Sequence, residues 1–326
     1  KGRTTCPPAR WRPSLVQDSA TGQEIQSAIT VIDNNTGNVV ALAGGIGEKE
    51  LSRTWNRATD TIRPPGSSIK PLAVYAPALE MGLITPATVF DDTPIDLNGS
   101  AWPKNSYTGF RGLTTVYEAL QNSVNTIAVK VLRDCVTPSA SFQFMTERFG
   151  ISSLVAARTA SNGLVETDID LAPLGLGGLT DGVSTYEMAA AYATFANNGI
   201  YRAPRTYLRI TAVDIDGKET LLLENANDSE VVLQESTAYY MNTMLQNVIS
   251  TRGTGHDAIF SGMTIAGKTG TTTSNKDKWF VGYSPYYTAA VWVGYDQQER
   301  IPNSGYLAAQ MWKKVMEPLH SGLENK

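Results

Sequence analysis

One short run of the sequence combines the side chains that an acyl-transfer reaction needs, a nucleophile and a base to take its proton. In RPPGSSIKPLAVY, residues 63–75, Lys70 follows Ser67 by three positions. If a helix begins at Ser67 or Ser68, both side chains project from one face, and unpaired backbone N–H groups favour an oxyanion beside the serine. A buried lysine can lose its proton and accept the serine's. A serine that only caps the helix is the alternative interpretation of this run.

Two further motifs supply groups that suit a peptide substrate. SVN places the Ser123 hydroxyl and the Asn125 amide in an otherwise apolar helical pattern. GKTGTTT follows the apolar strand pattern MTIA, and its first residues after the glycine are Lys268, Thr269, Gly270 and Thr271. A glycine in a strand lets a ligand backbone approach, and hydroxyls with an ammonium suit a carboxylate. The order SxxK, SxN, KTG is the signature of penicillin-binding proteins and class A β-lactamases.

With the blocks around these motifs, the chain resembles the transpeptidase domain of class A, bifunctional penicillin-binding proteins over essentially its full length. The supporting stretches include VIDNNTGNVVALAGG, WNRATD, GLTTVYEALQNSVNT, GLGGLTDGVSTYEMAAAYATFANNGIY, RGTGHDA and GKTGTTTSNKDKWFVGYSP. The resemblance implies a β-lactamase/transpeptidase-like α+β fold, an antiparallel sheet flanked by helices with a mostly helical subdomain. It also implies a peptidoglycan D,D-transpeptidase that β-lactams acylate and inhibit, with no cofactor and no metal.

The resemblance further implies a role for each motif residue in catalysis. Ser67 attacks the carbonyl between the two terminal D-alanines of a stem peptide and forms an acyl-enzyme, with Lys70 as its base. Ser123 relays a proton to the leaving amine, Asn125 holds the substrate amide, and Lys268 supports the relay electrostatically. An amine from a neighbouring stem peptide then resolves the acyl-enzyme and forms the cross-link.

The KTG strand is implied to bind the substrate. Thr269 and Thr271 hold the terminal carboxylate, and Gly270 lets the strand approach the ligand. The backbone N–H groups of Ser67 and Thr271 form the oxyanion hole. Trp102 and Tyr107 are candidates to line the cleft, Trp279 is expected mainly in the core, and His256 is given no acid–base role.

Three other functions fit the same fold. A β-lactamase of class A needs a glutamate that activates the deacylating water, and no ExxLN block lies between Ser123 and Lys268. A D,D-carboxypeptidase is compatible with all three motifs. A non-catalytic β-lactam sensor or binding module is the remaining alternative, and the intact motifs argue against it.

The elements that must position these residues can be predicted from periodicity and turn chemistry. A hairpin is expected at 28–32 and 39–43, a helix from Ser67 to Gly82, and helices over 113–132, 184–198, 233–250 and 305–318. Ser184 with Glu187 forms a capping box, and DIDG turns a strand pair within 203–224. Strands before and after Ser284–Pro285 complete a sheet with the N-terminal hairpin. The predicted architecture is α+β.

Composition excludes several other classes of protein. The chain has 326 residues, 42% of them hydrophobic and 18% charged, and a net charge of −4 without a basic block, so a nucleic-acid partner is not expected. No apolar run is long enough to span a membrane. Cys6 and Cys135 have no CxxC spacing and are expected as two thiols rather than a disulfide, and His256 and His320 match no metal-ligand pattern.

The chain divides into three parts by composition. Residues 1–24 are polar and aperiodic and are expected to be a linker or N-terminal extension, 25–320 the transpeptidase domain, and 321–326 a tail. The sequence does not begin with Met. The resemblance implies an upstream glycosyltransferase domain and membrane anchor in a longer chain, with stem peptides and β-lactams as partners. It places the domain on the extracytoplasmic face of the bacterial cell membrane.

Overall fold

The computed structural model describes residues 19–47, 52–97, 99–226, 228–302 and 305–326, so Cys6 and most of the predicted linker lie outside it. Short strands occur along the whole of this part of the chain. They are β1 (Gln26–Asp33), β2 (Val39–Ala43), β3 (Val89–Asp92), β4 (Ile95–Leu97), β5 (Ser100–Trp102), β6 (Gly112–Thr115), β7 (Arg158–Thr159), β8 (Val165–Glu166), β9 (Ile200–Arg202), β10 (Arg209–Val213), β11 (Glu219–Glu224), β12 (Ser229–Val231), β13 (Ala266–Thr271), β14 (Asp277–Tyr283) and β15 (Tyr287–Gly294).

Most of the helices lie between the first two strands and the last three. The α-helices are α1 (Ala76–Glu80), α2 (Val116–Gln121), α3 (Asn125–Val131), α4 (Pro138–Gln143), α5 (Leu171–Leu176), α6 (Thr185–Ala196), α7 (Glu235–Val248) and α8 (Leu307–Leu319). Tighter 3-10 turns span Gly66–Ile69, His256–Ala258 and Thr273–Asn275, and wider π-helical turns span Pro71–Tyr75, Leu132–Val136 and Phe144–Arg148. Among the described helices, none combines the length and apolar composition needed to cross a membrane.

Five strands form the central antiparallel sheet, in the order β13-β14-β15-β1-β2. β1 pairs with β15 along its whole length, from Gln26 opposite Gly294 to Asp33 opposite Tyr287. The N-terminal hairpin therefore completes the sheet begun by the C-terminal strands, as predicted. β13, which carries the KTG motif, is an edge strand, so one side of its backbone faces away from the sheet.

The two faces of the sheet are buried by different helices. One face, which includes Trp292 and Tyr283, packs against α6 and the helical part of the chain. The other face, which includes Phe280 and Val291, packs against Trp312 and Met316 of α8. The alternation of side chains along each strand produces these two cores. The α+β prediction is confirmed.

Several predicted elements are confirmed with small shifts at their ends. α6 begins with the Ser184–Glu187 capping box, in which the Ser184 hydroxyl accepts from the Glu187 N–H and the Glu187 carboxylate accepts from the Ser184 N–H. β10 and β11 flank the DIDG turn, and α7 and α8 lie where helices were expected.

The continuous helix predicted over 113–132 is wrong. Its first residues form β6, which pairs with β3, and the remainder is two helices, α2 and α3, separated by a turn at 122–124. The Asn122 side chain donates to the carbonyl of Glu118 at 2.9 Å, and Ser123 has a left-handed φ of 55°. Polar side chains that bond locally compete with the helix and end it here.

Candidate active site

Ser67 lies in a tight turn that packs directly against the KTG strand. The turn begins at Gly66, whose φ of +54° suits glycine, and Pro65 is its N-terminal cap. A Cβ atom on Gly66 would lie 2.5 Å from the Thr271 carbonyl oxygen, and one on Gly270 would lie 2.1 Å from that of Pro65. The two glycines therefore allow a backbone contact that brings Ser67 beside β13.

The predicted N-cap alternative for Ser67 is wrong, because no side chain caps this turn and Pro65 holds the cap position. The helix also differs in winding from the expected α-helix. Pro71 has no N–H to give to the Ser67 carbonyl, which accepts instead from the Lys70 N–H. The chain then widens into the π-helical turn Pro71–Tyr75 before α1 begins. The half-buried Ser67 side chain is left facing the cleft.

Lys70 is fully buried, and its side-chain nitrogen lies among oxygen atoms of the SVN turn. Nζ donates to Asn125 Oδ1 at 2.6 Å and to the Ser123 carbonyl at 2.9 Å, with the Val124 carbonyl at 3.4 Å. Burial lowers the pKa of Lys70 well below its usual value, and the nearby positive charge of Lys268 lowers it further. The environment therefore favours the neutral amine.

Ser123 is the residue of the SVN turn that Lys268, the second buried lysine, contacts with its side chain. Lys268 Nζ donates to Ser123 Oγ at 3.0 Å and to the Thr269 carbonyl at 3.1 Å. Lys268 is fully buried, and burial lowers its pKa to about 7. The left-handed φ of Ser123 is an unusual conformation for a residue other than glycine, and such conformations cluster at functional sites.

Asn125 is the first residue of α3 and is fixed from both sides. Its Nδ2 donates to the Lys104 carbonyl at 2.7 Å, and its backbone N–H donates to Asn105 Oδ1 at 2.8 Å. Asn105 in turn donates to the buried Asp92 at 2.7 Å. Neither Asn105 nor Asp92 was predicted, because only the tertiary fold brings them to this turn.

Asp92 holds together the segment that leads into the SVN turn. Its carboxylate accepts from the Tyr107 hydroxyl at 2.5 Å, from the Arg111 N–H at 2.8 Å and from the Thr126 hydroxyl. Burial alone would raise the pKa of Asp92, but the hydrogen bonds from Thr126, Tyr107, Arg111 and Asn105 outweigh it and lower the pKa. Tyr107 therefore belongs to this support.

The two threonines of the KTG strand differ in their partners. Thr269 Oγ1 donates to Thr254 Oγ1 at 3.1 Å, whereas Thr271 Oγ1 accepts from Lys278 Nζ at 3.4 Å. Thr254 belongs to the RGTGHDA stretch, but neither it nor Lys278 was predicted as a site residue. Lys278 has no sequence signal beyond its position on the strand after the KTG motif.

These elements enclose a cleft of about 910 Å³ along the edge strand. Of the predicted site residues, Ser67, Ser123, Asn125, Thr269 and Thr271 line it. The amines of Lys70 and Lys268 lie beneath the cleft, where Lys70 is bonded to Asn125 and the Ser123 carbonyl and Lys268 to Ser123 Oγ. Gly270 lies where β13 contacts the Ser67 turn. The arrangement brings a hydroxyl nucleophile, two amines of lowered pKa and a hydroxyl-bearing edge strand into one site.

The aromatic predictions have mixed outcomes. Trp102 lines the cleft together with Pro103 and Lys104. Trp279 is 2% exposed and belongs to the core, as expected. His256 Nε2 lies 2.8 Å from an Asp257 oxygen, and its ring packs edge-on against Tyr306, which lines the cleft.

Comparison with known proteins agrees with this arrangement. Residues 27–317 match the family described as penicillin binding protein transpeptidase domain. Penicillin-binding protein 1A of Clostridium acetobutylicum is 37% identical over 312 residues, covering 92% of this chain and 36% of the relative. The corresponding protein of Neisseria gonorrhoeae is 35% identical, covering 97% of this chain and 38% of its own length. The chain thus spans well under half of these curated relatives.

Solved structures show the same fold. Penicillin-binding protein 1A from Haemophilus influenzae superposes with a TM-score of 0.77 at 24% identity, covering 95% of this chain and 51% of that one. PonA1 from Mycobacterium tuberculosis in complex with penicillin V superposes with a TM-score of 0.76 at 27% identity, covering 94% of this chain and 81% of that one. The chain therefore belongs to the penicillin-binding protein transpeptidase domain family.

Proposed function

We propose that this domain is a peptidoglycan D,D-transpeptidase that works through an acyl-enzyme on Ser67. The observation that carries the proposal is the surroundings of the Lys70 amine. A neutral amine has two N–H hydrogens and one lone pair. Asn125 Oδ1 and the Ser123 carbonyl are the two nearest acceptors for these hydrogens, at 2.6 and 2.9 Å. The lone pair is then left for the proton of Ser67, one helical turn away.

Acylation follows from this geometry. Lys70 takes the hydroxyl proton as Ser67 Oγ bonds to the carbonyl carbon of the D-Ala-D-Ala amide. The oxyanion accepts from the backbone N–H groups of Ser67 and Thr271, which the Gly66–Thr271 contact brings close together. The C–N bond then breaks, and the proton reaches the leaving D-alanine amine through Ser123, whose Oγ is bonded to Lys268.

The edge strand supports the substrate while this happens. A stem peptide lying antiparallel to β13 adds a strand to the sheet, with Thr269 and Thr271 on the rim and Asn125 opposite. An acceptor amine from a second stem peptide then attacks the ester carbonyl and gives up a proton to the Lys70–Ser123 pair. The C–O bond to Ser67 breaks, and the Ser67 oxygen takes a proton back from Lys70. The product is the cross-linked peptide. A β-lactam would acylate Ser67 by the same first step.

The setting of the reaction is part of the proposal. The relatives that cover this chain are penicillin-binding proteins more than twice its length. We propose that the domain acts on the extracytoplasmic face of the bacterial cell membrane, as part of a longer chain with a membrane anchor and a glycosyltransferase domain. The stem peptide donor, an amine acceptor and β-lactams are its proposed partners.

The first experiment is the intact mass of the wild-type protein and of Ser67→Ala after incubation with benzylpenicillin. We expect a persistent adduct of one drug mass on the wild type and none on the variant, because Ser67 is the proposed nucleophile, one turn before Lys70 and packed against β13. Rapid drug turnover without an adduct would contradict the proposal and indicate a β-lactamase. No adduct and no turnover would indicate a binding module.

A second measurement separates transpeptidation from D,D-carboxypeptidation. The protein is incubated with a peptide ending in D-Ala-D-Ala, with and without an added D-amino acid as acceptor amine. A transpeptidase forms the exchanged peptide in preference to the hydrolysed one, whereas a carboxypeptidase gives the hydrolysed peptide in both mixtures. Ser67→Ala should give neither product.

A further inference from the structure

A third lysine lies at the cleft, beside the hydroxyl proposed to meet the substrate carboxylate. Lys278 is on β14, directly opposite Thr271 of β13. Only 8% of its surface is exposed, yet it lines the cleft. Its Nζ donates to Asn275 Oδ1 at 3.1 Å and to Thr271 Oγ1 at 3.4 Å. An ammonium group so well buried normally has an acidic partner.

No carboxylate of the described residues lies within ion-pair distance of this ammonium. Asp277 precedes it on β14, but strand alternation directs the two side chains to opposite faces. The Asp277 carboxylate is already bonded to Trp292 Nε1 at 3.0 Å and lies 3.8 Å from Arg63 Nε. Burial lowers the pKa of Lys278 to about 8, the direction expected for a cation without a counter-ion.

The backbone before Lys278 is shaped to hold its ammonium in place. Ser274 and Asn275 have left-handed φ values of 63° and 57°, a conformation that costs energy in residues other than glycine. The Asn275 carbonyl accepts from the Ile301 N–H at 3.0 Å, which fixes the turn. The Asn275 amide oxygen thereby reaches Lys278 Nζ and holds it toward the edge strand.

The bond to Thr271 also sets the direction of that hydroxyl. Because Thr271 Oγ1 accepts from Lys278, its own hydrogen points elsewhere and is available to a ligand in the cleft. Thr269 differs, since its hydrogen is donated to Thr254. A carboxylate at Thr271 would therefore receive a hydrogen bond from a hydroxyl polarised by an ammonium group.

We propose that Lys278 is a specificity-determining residue that supplies the positive charge for a ligand carboxylate bound at Thr271. The inference rests on the proposed function and deepens it. The charge of Lys278 would select ligands whose scissile amide is followed by a free carboxylate, such as acyl-D-alanyl-D-alanine peptides and β-lactams with an ionised carboxyl group. A charge-assisted hydrogen bond is stronger than the same bond between neutral groups.

The test removes the positive charge of Lys278, the negative charge of the ligand carboxylate, and then both, so that the coupling between the two charges can be measured. Second-order acylation rates are measured by intact mass for benzylpenicillin and for its neutral methyl ester, on the wild type and on Lys278→Gln. Glutamine keeps a donor for Thr271 but no charge. We expect the preference for benzylpenicillin over the ester to fall about tenfold or more in Lys278→Gln, and Lys278→Arg to retain most of it.

Lys276→Gln is the matched control, because Lys276 lines the same cleft but is half-exposed, where a charge contributes little. We expect its preference to stay within about threefold of the wild type. If Lys278→Gln is acylated more slowly by both ligands to the same degree, or keeps the wild-type preference for benzylpenicillin, the inference is overturned and the proposed acyl-enzyme still stands. A wild type that benzylpenicillin does not acylate would overturn the proposed function itself, and this result is seen without any variant.

Discussion

Two buried amines at the floor of the cleft are hard to protonate. Lys70 and Lys268 are both fully buried, and the described residues place oxygen acceptors rather than carboxylates around them. Burial lowers both pKa values, and the charge of Lys268 further lowers that of Lys70. A lysine that served only as a structural cation would gain from an acidic partner. The arrangement instead keeps a base available at neutral pH.

The coupling between the two lysines predicts a shift in the pH dependence of acylation. Replacing Lys268 with methionine removes one positive charge beside Lys70, so the pKa of Lys70 should rise. Acylation needs the neutral amine, and the acidic limb of the pH–rate profile should therefore move to higher pH by about one unit. Benzylpenicillin acylation rates from pH 5 to 9 measure this.

The rate at the plateau should also fall, since Lys268 Nζ is bonded to Ser123 Oγ. Lys218→Met, on the exposed turn between β10 and β11, removes the same charge far along the chain and should leave the profile unchanged. An acidic limb at the wild-type position in Lys268→Met would show that Lys70 is not the group whose deprotonation limits acylation.

Among the elements, the contact between the Ser67 turn and β13 depends on three glycines. Gly66 lies against Thr271, Gly177 lies against Gly66, and Gly270 lies against Pro65, each with no room for a Cβ atom. The Gly66 N–H donates to the Gly177 carbonyl at 3.2 Å, which joins the end of α5 to the same turn. The position of the nucleophile is thus set by backbone packing.

Gly270→Ala tests this contact. The new Cβ would lie 2.1 Å from the Pro65 carbonyl oxygen, so the turn and the strand must separate. A displacement of about 1 Å at a catalytic group costs roughly 100-fold in rate, and we expect a loss of that order in benzylpenicillin acylation. Gly178→Ala is the control, because its Cβ would meet only the Ala172 carbonyl, at 3.9 Å. A near-normal rate in a folded Gly270→Ala protein would contradict this role.

The elements also show what the sequence could and could not predict. Local signals are visible in one short stretch, which is why the Ser184–Glu187 capping box and the strands beside Ser284–Pro285 were correctly predicted. The break at Ser123 was missed because its apolar neighbours continue a helical pattern across it. The motif residues were found, and the groups that support them were not. Asp92 and Asn105 act through contacts between segments well apart in the chain, which periodicity does not reveal. Lys278 contacts only nearby residues, Asn275 and Thr271, but its burial depends on the packing of the folded protein.

At the scale of the whole molecule, the site lies where the edge of the sheet meets the helical part of the chain. β13 contributes one wall, and the segment from β5 to α3 contributes the opposite one. The chain carries a net charge of −4, yet lysines predominate around this cleft. The cleft lysines, on its walls or beneath it, are Lys70, Lys104, Lys268, Lys276 and Lys278. Lys70 is held neutral and a charge on the half-exposed Lys276 contributes little, so we expect the preference for ligands with a free carboxylate to come mainly from Lys278 beside Thr271.

Burying these amines should make the stability of the folded protein depend on pH. The pKa of Lys268 is about 7 in the folded protein and near 10.5 when unfolded, so between these values the unfolded chain binds more protons and the free energy of unfolding rises with pH. From pH 7 to 9 we expect Lys268 alone to contribute about 2 kcal/mol of this rise. Urea unfolding at both pH values measures this for the wild type and for Lys268→Met. The rise in the free energy of unfolding should be smaller in the variant by about that amount. The exposed Lys218→Met control should match the wild type, whereas equal gains in the wild type and in Lys268→Met would mean that Lys268 is charged in the folded protein at neutral pH.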